Sequence, residues 1–126
     1  MSLSIHQIAV DCQSARLLSS FWSQALGFAI EDWGEEYGAM VYSLENTGPR
    51  VIFLPVPERK VVKNRVHLDV KTTDGTREAE VARLVRLGAR EVETRSLSTD
   101  AWTSTWTVMQ DPEGNEFCVS AEPVYH

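Results

Sequence analysis

The chain has 126 residues, enough for one domain or for two small modules sharing a core. Eighteen acidic against 12 basic residues give a net charge of −6, which argues against a nucleic-acid surface, where cations must displace counterions. No apolar run approaches the roughly 20 residues of a bilayer span, no leader-like stretch opens the chain, and Cys12 and Cys118 form no metal-knuckle pair, so a cytoplasmic protein with reduced thiols is expected.

Residues 5–11, IHQIAVD, alternate as a strand, with Ile8 and Val10 on one face and Gln7, Ala9 and Asp11 on the other. Ser14 can cap a helix over ARLLSSFWSQAL, whose Leu17, Leu18, Phe21, Trp22, Ala25 and Leu26 recur at helical spacing, and Gly27 ends it. Strands are predicted at about 28–33, 38–44 and 50–56, separated by the turns EEYG and ENTGPR. Pro55 and Pro57 stop the third of these, since proline cannot donate to a ladder.

The basic stretch 58–63 reads as a linker, after which the pattern starts again. RVHLDVK is a strand, Asp74 a candidate N-cap, and 75–87 a helix with Ala79, Val81, Ala82, Leu84, Val85 and Leu87 on its apolar face, ended by Gly88. Strands are predicted at about 90–95, 104–110 and 115–120, and the polar segment 96–103, SLSTDAWT, reads as a loop long enough for a lid. Pairing Gln7 with His67 sets Ile8 on Leu68 and Val10 on Val70. This is a repeat of about 60 residues, with one module over 4–57 and another over 64–122 in a single domain, 1–126.

The segments FWSQALGF (21–28), RVHLDV (65–70), RLVRLGAR (83–90) and above all DPEGNEF (111–117) resemble the vicinal oxygen chelate superfamily, which holds glyoxalases, bleomycin-resistance proteins and extradiol dioxygenases. The likeness covers nearly the whole chain and is greatest to small bacterial glyoxalase-like proteins. It implies an α+β fold of two tandem βαβββ modules forming an open, barrel-like, eight-stranded cleft, and commonly a homodimer. It also implies, in metal-dependent members, a ligand on the first and the last strand of each module, usually two His and two Glu or Gln around one divalent ion.

Carried onto this chain, those four positions are Gln7, His67, Cys118 and either Ile52 or Leu54. Cys118 lies seven residues beyond Asp111, where the resemblance implies glutamate, and Glu116 lies two residues earlier on the same face. His6 turns away from Gln7, as neighbours on a strand must, and reads as an edge histidine. The set Gln, apolar, His, Cys is poor for a hard divalent ion. No metal site is therefore expected, with His67, Gln7 and Glu116 the weak candidates should a divalent metal bind. Asp69, two residues from His67 on the same face, can orient the ring or act as a base. Cys118 reads as a packing thiol, or as a nucleophile if His67 activates it.

The ligand-binding set expected from the sequence is Gln7, His67, Asp69, Cys118, Trp102, Trp106 and Phe53, with Trp22 in the core. Arg59, Lys60, Lys63 and Arg65 form a basic cluster that either meets an anionic ligand or is a solvated linker. The expected function is a glyoxalase- or bleomycin-resistance-like protein that binds a small organic molecule without the full metal site. The alternative is a metal-dependent lyase, isomerase or dioxygenase-type enzyme using His67 and Asp69.

Overall fold

The computed structural model describes residues 1–126 and divides into two compact units, Met1–Val61 and Val62–His126. No helix is long and apolar enough to cross a membrane. The fold is α+β: each unit is a βαβββ module with one helix against one open mixed sheet.

In the first unit, β1 (Ile8–Cys12), α1 (Ala15–Leu26), β2 (Ala29–Asp32), β3 (Ala39–Tyr42) and β4 (Val51–Pro55) give the strand order β1-β4-β3-β2, with β1 and β4 parallel. Ser14 accepts a hydrogen bond from the Leu17 N–H at the start of α1. Leu18, Phe21 and Trp22 are buried, and the Phe21 and Trp22 rings meet edge to face at 5.2 Å. Leu17, at the margin of the apolar stripe, is about half exposed. Ala39, Val41, Val51 and Phe53 are buried beneath α1.

The second unit repeats the plan with β5 (Leu68–Lys71), α2 (Arg77–Leu87), β6 (Arg90–Ser98), β7 (Trp102–Gln110) and β8 (Glu116–Ser120), in the order β5-β8-β7-β6. A two-residue strand that the sequence did not suggest, β9 (Val124–Tyr125), pairs with β7. The N-cap of α2 is Thr76 rather than Asp74, its hydroxyl accepting from the Ala79 N–H at 3.1 Å. The cap moves because the chain first turns through Gly75 at φ +74°. Val81 and Leu84 bury against Met109, Phe117 and Val119, while Val85 stays about half exposed.

The predicted lid over 96–103 is instead the end of a hairpin. β6 runs to Ser98 and β7 begins at Trp102, with the Thr99 N–H bonded to the Trp102 carbonyl at 2.8 Å. Its Ser and Thr side chains pair across the strands, Ser96 with Thr105 and Ser98 with Thr103, each at 2.9 Å.

The DPEGN turn is as tight as its sequence suggests. Asp111 is 4% exposed, and its carboxylate accepts from the Glu113 and Asn115 N–H groups and from the Asn115 amide. This sets the start of β8, and so the parity of Glu116, Cys118 and Ser120.

Candidate functional site

Burial alternates along β8 and β7. Phe117, Val119, Thr107 and Met109 are buried on the side of α2, while Cys118, Ser120, Trp106 and Gln110 on the opposite side are only partly covered. The uncovered side forms a pocket of about 720 Å³ with His67, Asp69, Cys118, Trp106, Lys63 and Arg95 in its lining.

The register explains how residues far apart in sequence meet there. Asp69, Cys118, Val108 and Glu93 are successive partners across β5, β8, β7 and β6 and form one row. Ser120, Trp106 and Arg95 form the next, and Glu116 and Gln110 a third. His67 immediately precedes β5 and shares the parity of Asp69.

One wall of the pocket carries a polar triad in which His67 and Asp69 are exposed and Cys118 is half-buried. His67 Nδ1 lies 2.9 Å from Asp69 Oδ1. The Cys118 thiol lies beside the same carboxylate, its register partner, and burial, followed by the Asp69 carboxylate, raises its pKa despite the opposing charges of Lys63 and Arg95. Cys118 is therefore a neutral thiol at neutral pH and a poor nucleophile. Iodoacetamide should label Cys118 more slowly than a free cysteine at pH 8, with the rate rising only above the ordinary thiol range. Asp69→Asn should speed labelling by removing the charge that disfavours the thiolate, and rate against pH by mass spectrometry reads both. Cys12, 3% exposed, should label only on unfolding.

The other charged groups are largely committed. Glu116 is 9% exposed, and its two oxygens accept from the Asn64 N–H at 2.8 Å and the Gln110 amide at 3.2 Å, tying the segment before β5 to β8. Arg95 pairs with Glu93, its Nε 2.8 Å from the carboxylate. Lys63, in contrast, has no carboxylate partner, although its charge reaches Cys118.

Of the residues expected from sequence, His67, Asp69, Cys118 and Trp106 line this pocket. Trp102 is not in the lining, because it lies at the far end of β7, opposite Tyr125. Phe53 is fully buried. It is the register partner of Val10 and shares the parity of Val51, which sets it on the face covered by α1, with no surface for a ligand. Gln7 is half-buried and immediately precedes β1 in the first unit. His6 is exposed and its Nδ1 lies 3.2 Å from an Arg50 nitrogen. Lys63, Glu93, Arg95 and Gln110 had no place in the expected set, although pairing across the 111–115 turn from Glu116 would have found Gln110.

Register also decides between Ile52 and Leu54. Ile8 pairs with Val51 as Leu68 pairs with Phe117, so Ile52 is the counterpart of Cys118 and Ala9 that of Asp69. The first module carries alanine and isoleucine where the second carries Asp69 and Cys118.

The donor set does not fit a hard, oxygen-ligated ion. The ligand atoms of His67, Asp69 and Cys118 lie within 4.8 Å of one another. One of the three is a soft thiol, and the further carboxylates in the lining are engaged, Glu116 with Asn64 and Gln110 and Glu93 with Arg95.

The family model described as a glyoxalase-like domain matches residues 7–120. The chain belongs to the glyoxalase-like family. Solved structures agree in fold. A glyoxalase/bleomycin resistance protein/dioxygenase family enzyme from Burkholderia phytofirmans PsJN matches with TM-score 0.69 at 17% identity, over 92% of this chain and 96% of that one. A fosfomycin resistance protein from Listeria monocytogenes, complexed with Mn(II) and 1S,2S-dihydroxypropylphosphonic acid, matches with TM-score 0.70 at 10% identity, over 95% and 90%. Lactoylglutathione lyase from Agrobacterium tumefaciens matches with TM-score 0.66 at 11% identity, over 96% and 95%. No curated protein matches the chain. The glyoxalase-like family thus accounts for the scaffold.

Proposed function

We propose that this glyoxalase-like chain binds a small organic molecule on the uncovered face of its second sheet, without the divalent ion of the metal-dependent relatives. The observation that carries the reading is the make-up of that face. A pocket of about 720 Å³ lies within the usual range for small ligands. Trp106 offers a ring face for stacking, and Val92 and Val108 add apolar surface. Lys63 and the Nε2 of His67 remain uncommitted for polar recognition. An oxygen-ligated ion would need carboxylates beyond Asp69, and Glu116, the one on the last strand, is engaged by Asn64 and Gln110.

Calorimetric titration of the metal-stripped chain with Mn(II) and with Zn(II), beside metal analysis of the purified protein, tests this. Neither ion is expected to bind tightly at one per chain. A stoichiometric ion lost in His67→Ala would overturn the reading in favour of a metal-dependent lyase, isomerase or dioxygenase-type enzyme.

A further inference from the structure

We propose that His67 is a general base in this pocket, removing a proton from a small planar carbon acid, with Asp69 holding the ring and Lys63 pairing with the anion formed. The inference rests on the reading that the pocket takes a small molecule, and it adds chemistry to that binding.

An ionised carboxylate has only acceptors, so the 2.9 Å contact makes His67 Nδ1 the donor to Asp69. The neutral ring then carries its lone pair on Nε2, which has no partner within the chain. A hydrogen bond that selects the tautomer and orients the ring is what a histidine base requires. Asp69 stands beside Cys118, its register partner on the neighbouring strand.

The surrounding groups narrow the reaction. Burial and the Asp69 carboxylate across the strand pair disfavour the Cys118 thiolate, which makes that thiol a poor nucleophile. Glu116 is consumed by Asn64 and Gln110, and Arg95 by Glu93. Among the ionisable groups, the base His67 and the ammonium of Lys63 remain uncommitted, beside the Trp106 ring and the Ser104 and Ser120 hydroxyls, and proton abstraction is the step that base and ammonium can run together. The C–H electron pair moves into the substrate's π system, the proton goes to His67 Nε2, and the negative charge settles on an oxygen that the Lys63 ammonium can meet. The imidazolium then returns its proton to product or to water. Trp106, in the row beside Asp69 and Cys118, offers its ring to a flat, conjugated substrate.

The test uses 5-nitrobenzisoxazole, a probe needing only a base and help for an oxyanion. Loss of its ring C–H proton forms the nitrile as the N–O bond breaks, and the phenolate oxygen leaves with the electron pair. The intact chain should release the coloured phenolate with saturation kinetics. His67→Ala should lower kcat about 100-fold, within the usual contribution of a general base. Lys63→Met should lower it roughly tenfold. Asp69→Asn should lower kcat with KM little changed and move the His67 ring nitrogens in the 15N spectrum toward the other tautomer, because an amide can donate to Nδ1. A merely structural Asp69 would leave that spectrum unmoved.

Turnover of His67→Ala within twofold of the intact chain overturns the proposal. So does a rate no greater than that of free imidazole at equal concentration. In the latter case, saturable shifts of the Trp106 indole by the probe would leave the binding reading standing, and their absence would count against both.

Discussion

Gly38→Ala is expected to lower stability by about 4 kcal/mol, the largest effect of an added methyl group at any of the chain's glycines. Gly38 stands immediately before β3 with φ +107°, a conformation that costs an L-residue roughly 1–3 kcal/mol. A Cβ there would lie 2.1 Å from the backbone carbonyl oxygen of Phe53. A backbone atom cannot swing aside as a side chain can. Relief therefore requires β3 and β4 to part where Ala39 faces Phe53, the most deeply buried point of the first sheet. Urea denaturation followed by tryptophan fluorescence measures the loss, and a change below about 1 kcal/mol would mean that the approach of Gly38 to β4 is not tight.

Asp111→Ala should cost about 3 kcal/mol and loosen the pocket as well. The buried carboxylate accepts two backbone N–H groups and one side-chain amide within a five-residue turn, and alanine leaves all three donors without it. Charge-assisted hydrogen bonds of this kind contribute about 1.5–3 kcal/mol each before relaxation and water recover part of the loss. The turn fixes where β8 begins, so amide exchange should quicken along β7 and β8 while the first module keeps its protection. Asp111→Asn, which retains one acceptor oxygen, should lose roughly half as much. Equal exchange in both modules would contradict a local role for the turn.

Much of the architecture was legible because the repeat carries its own periodicities. Helical spacing of Leu18, Phe21 and Trp22, and of Val81 and Leu84, marked both helices within a residue or two. The turn residues 111–115 marked the last hairpin. The β6–β7 hairpin was misread at its tip because nothing in β6 is buried. With no apolar alternation to detect, Ser96, Ser98, Thr103 and Thr105 resemble loop residues, yet they are a ladder of hydroxyl pairs.

The site was half legible for the same reason. Parity from His67 and from Cys118 found the residues of β5 and β8, where burial alternates. Arg95 and Glu93 escaped because β6 shows no alternation and carries a register shift between Glu91 and Glu93. Phe53 was a parity error of one residue. Its neighbours Ile52 and Leu54 share the face opposite α1, and a single step along a strand exchanges a pocket position for a core position. Lys63 was left between an anion contact and a solvated linker, since sequence alone did not show that the Asn64 N–H is anchored to Glu116, which holds this segment beside the sheet.

The central claim is that the face built by His67, Asp69, Cys118 and Trp106 takes an organic ligand without help from a divalent ion. The most direct measurement is a 15N-edited NMR screen of small planar acids and neutral aromatics against the full chain in excess EDTA. The account predicts saturable shifts at the Trp106 indole and at the amides of Asp69, Arg95 and Cys118, unchanged when EDTA is replaced by Mn(II)-free buffer containing Mg(II). Shifts that arise only after a divalent ion is added, or that fall on the α2 side of the sheet, would contradict it.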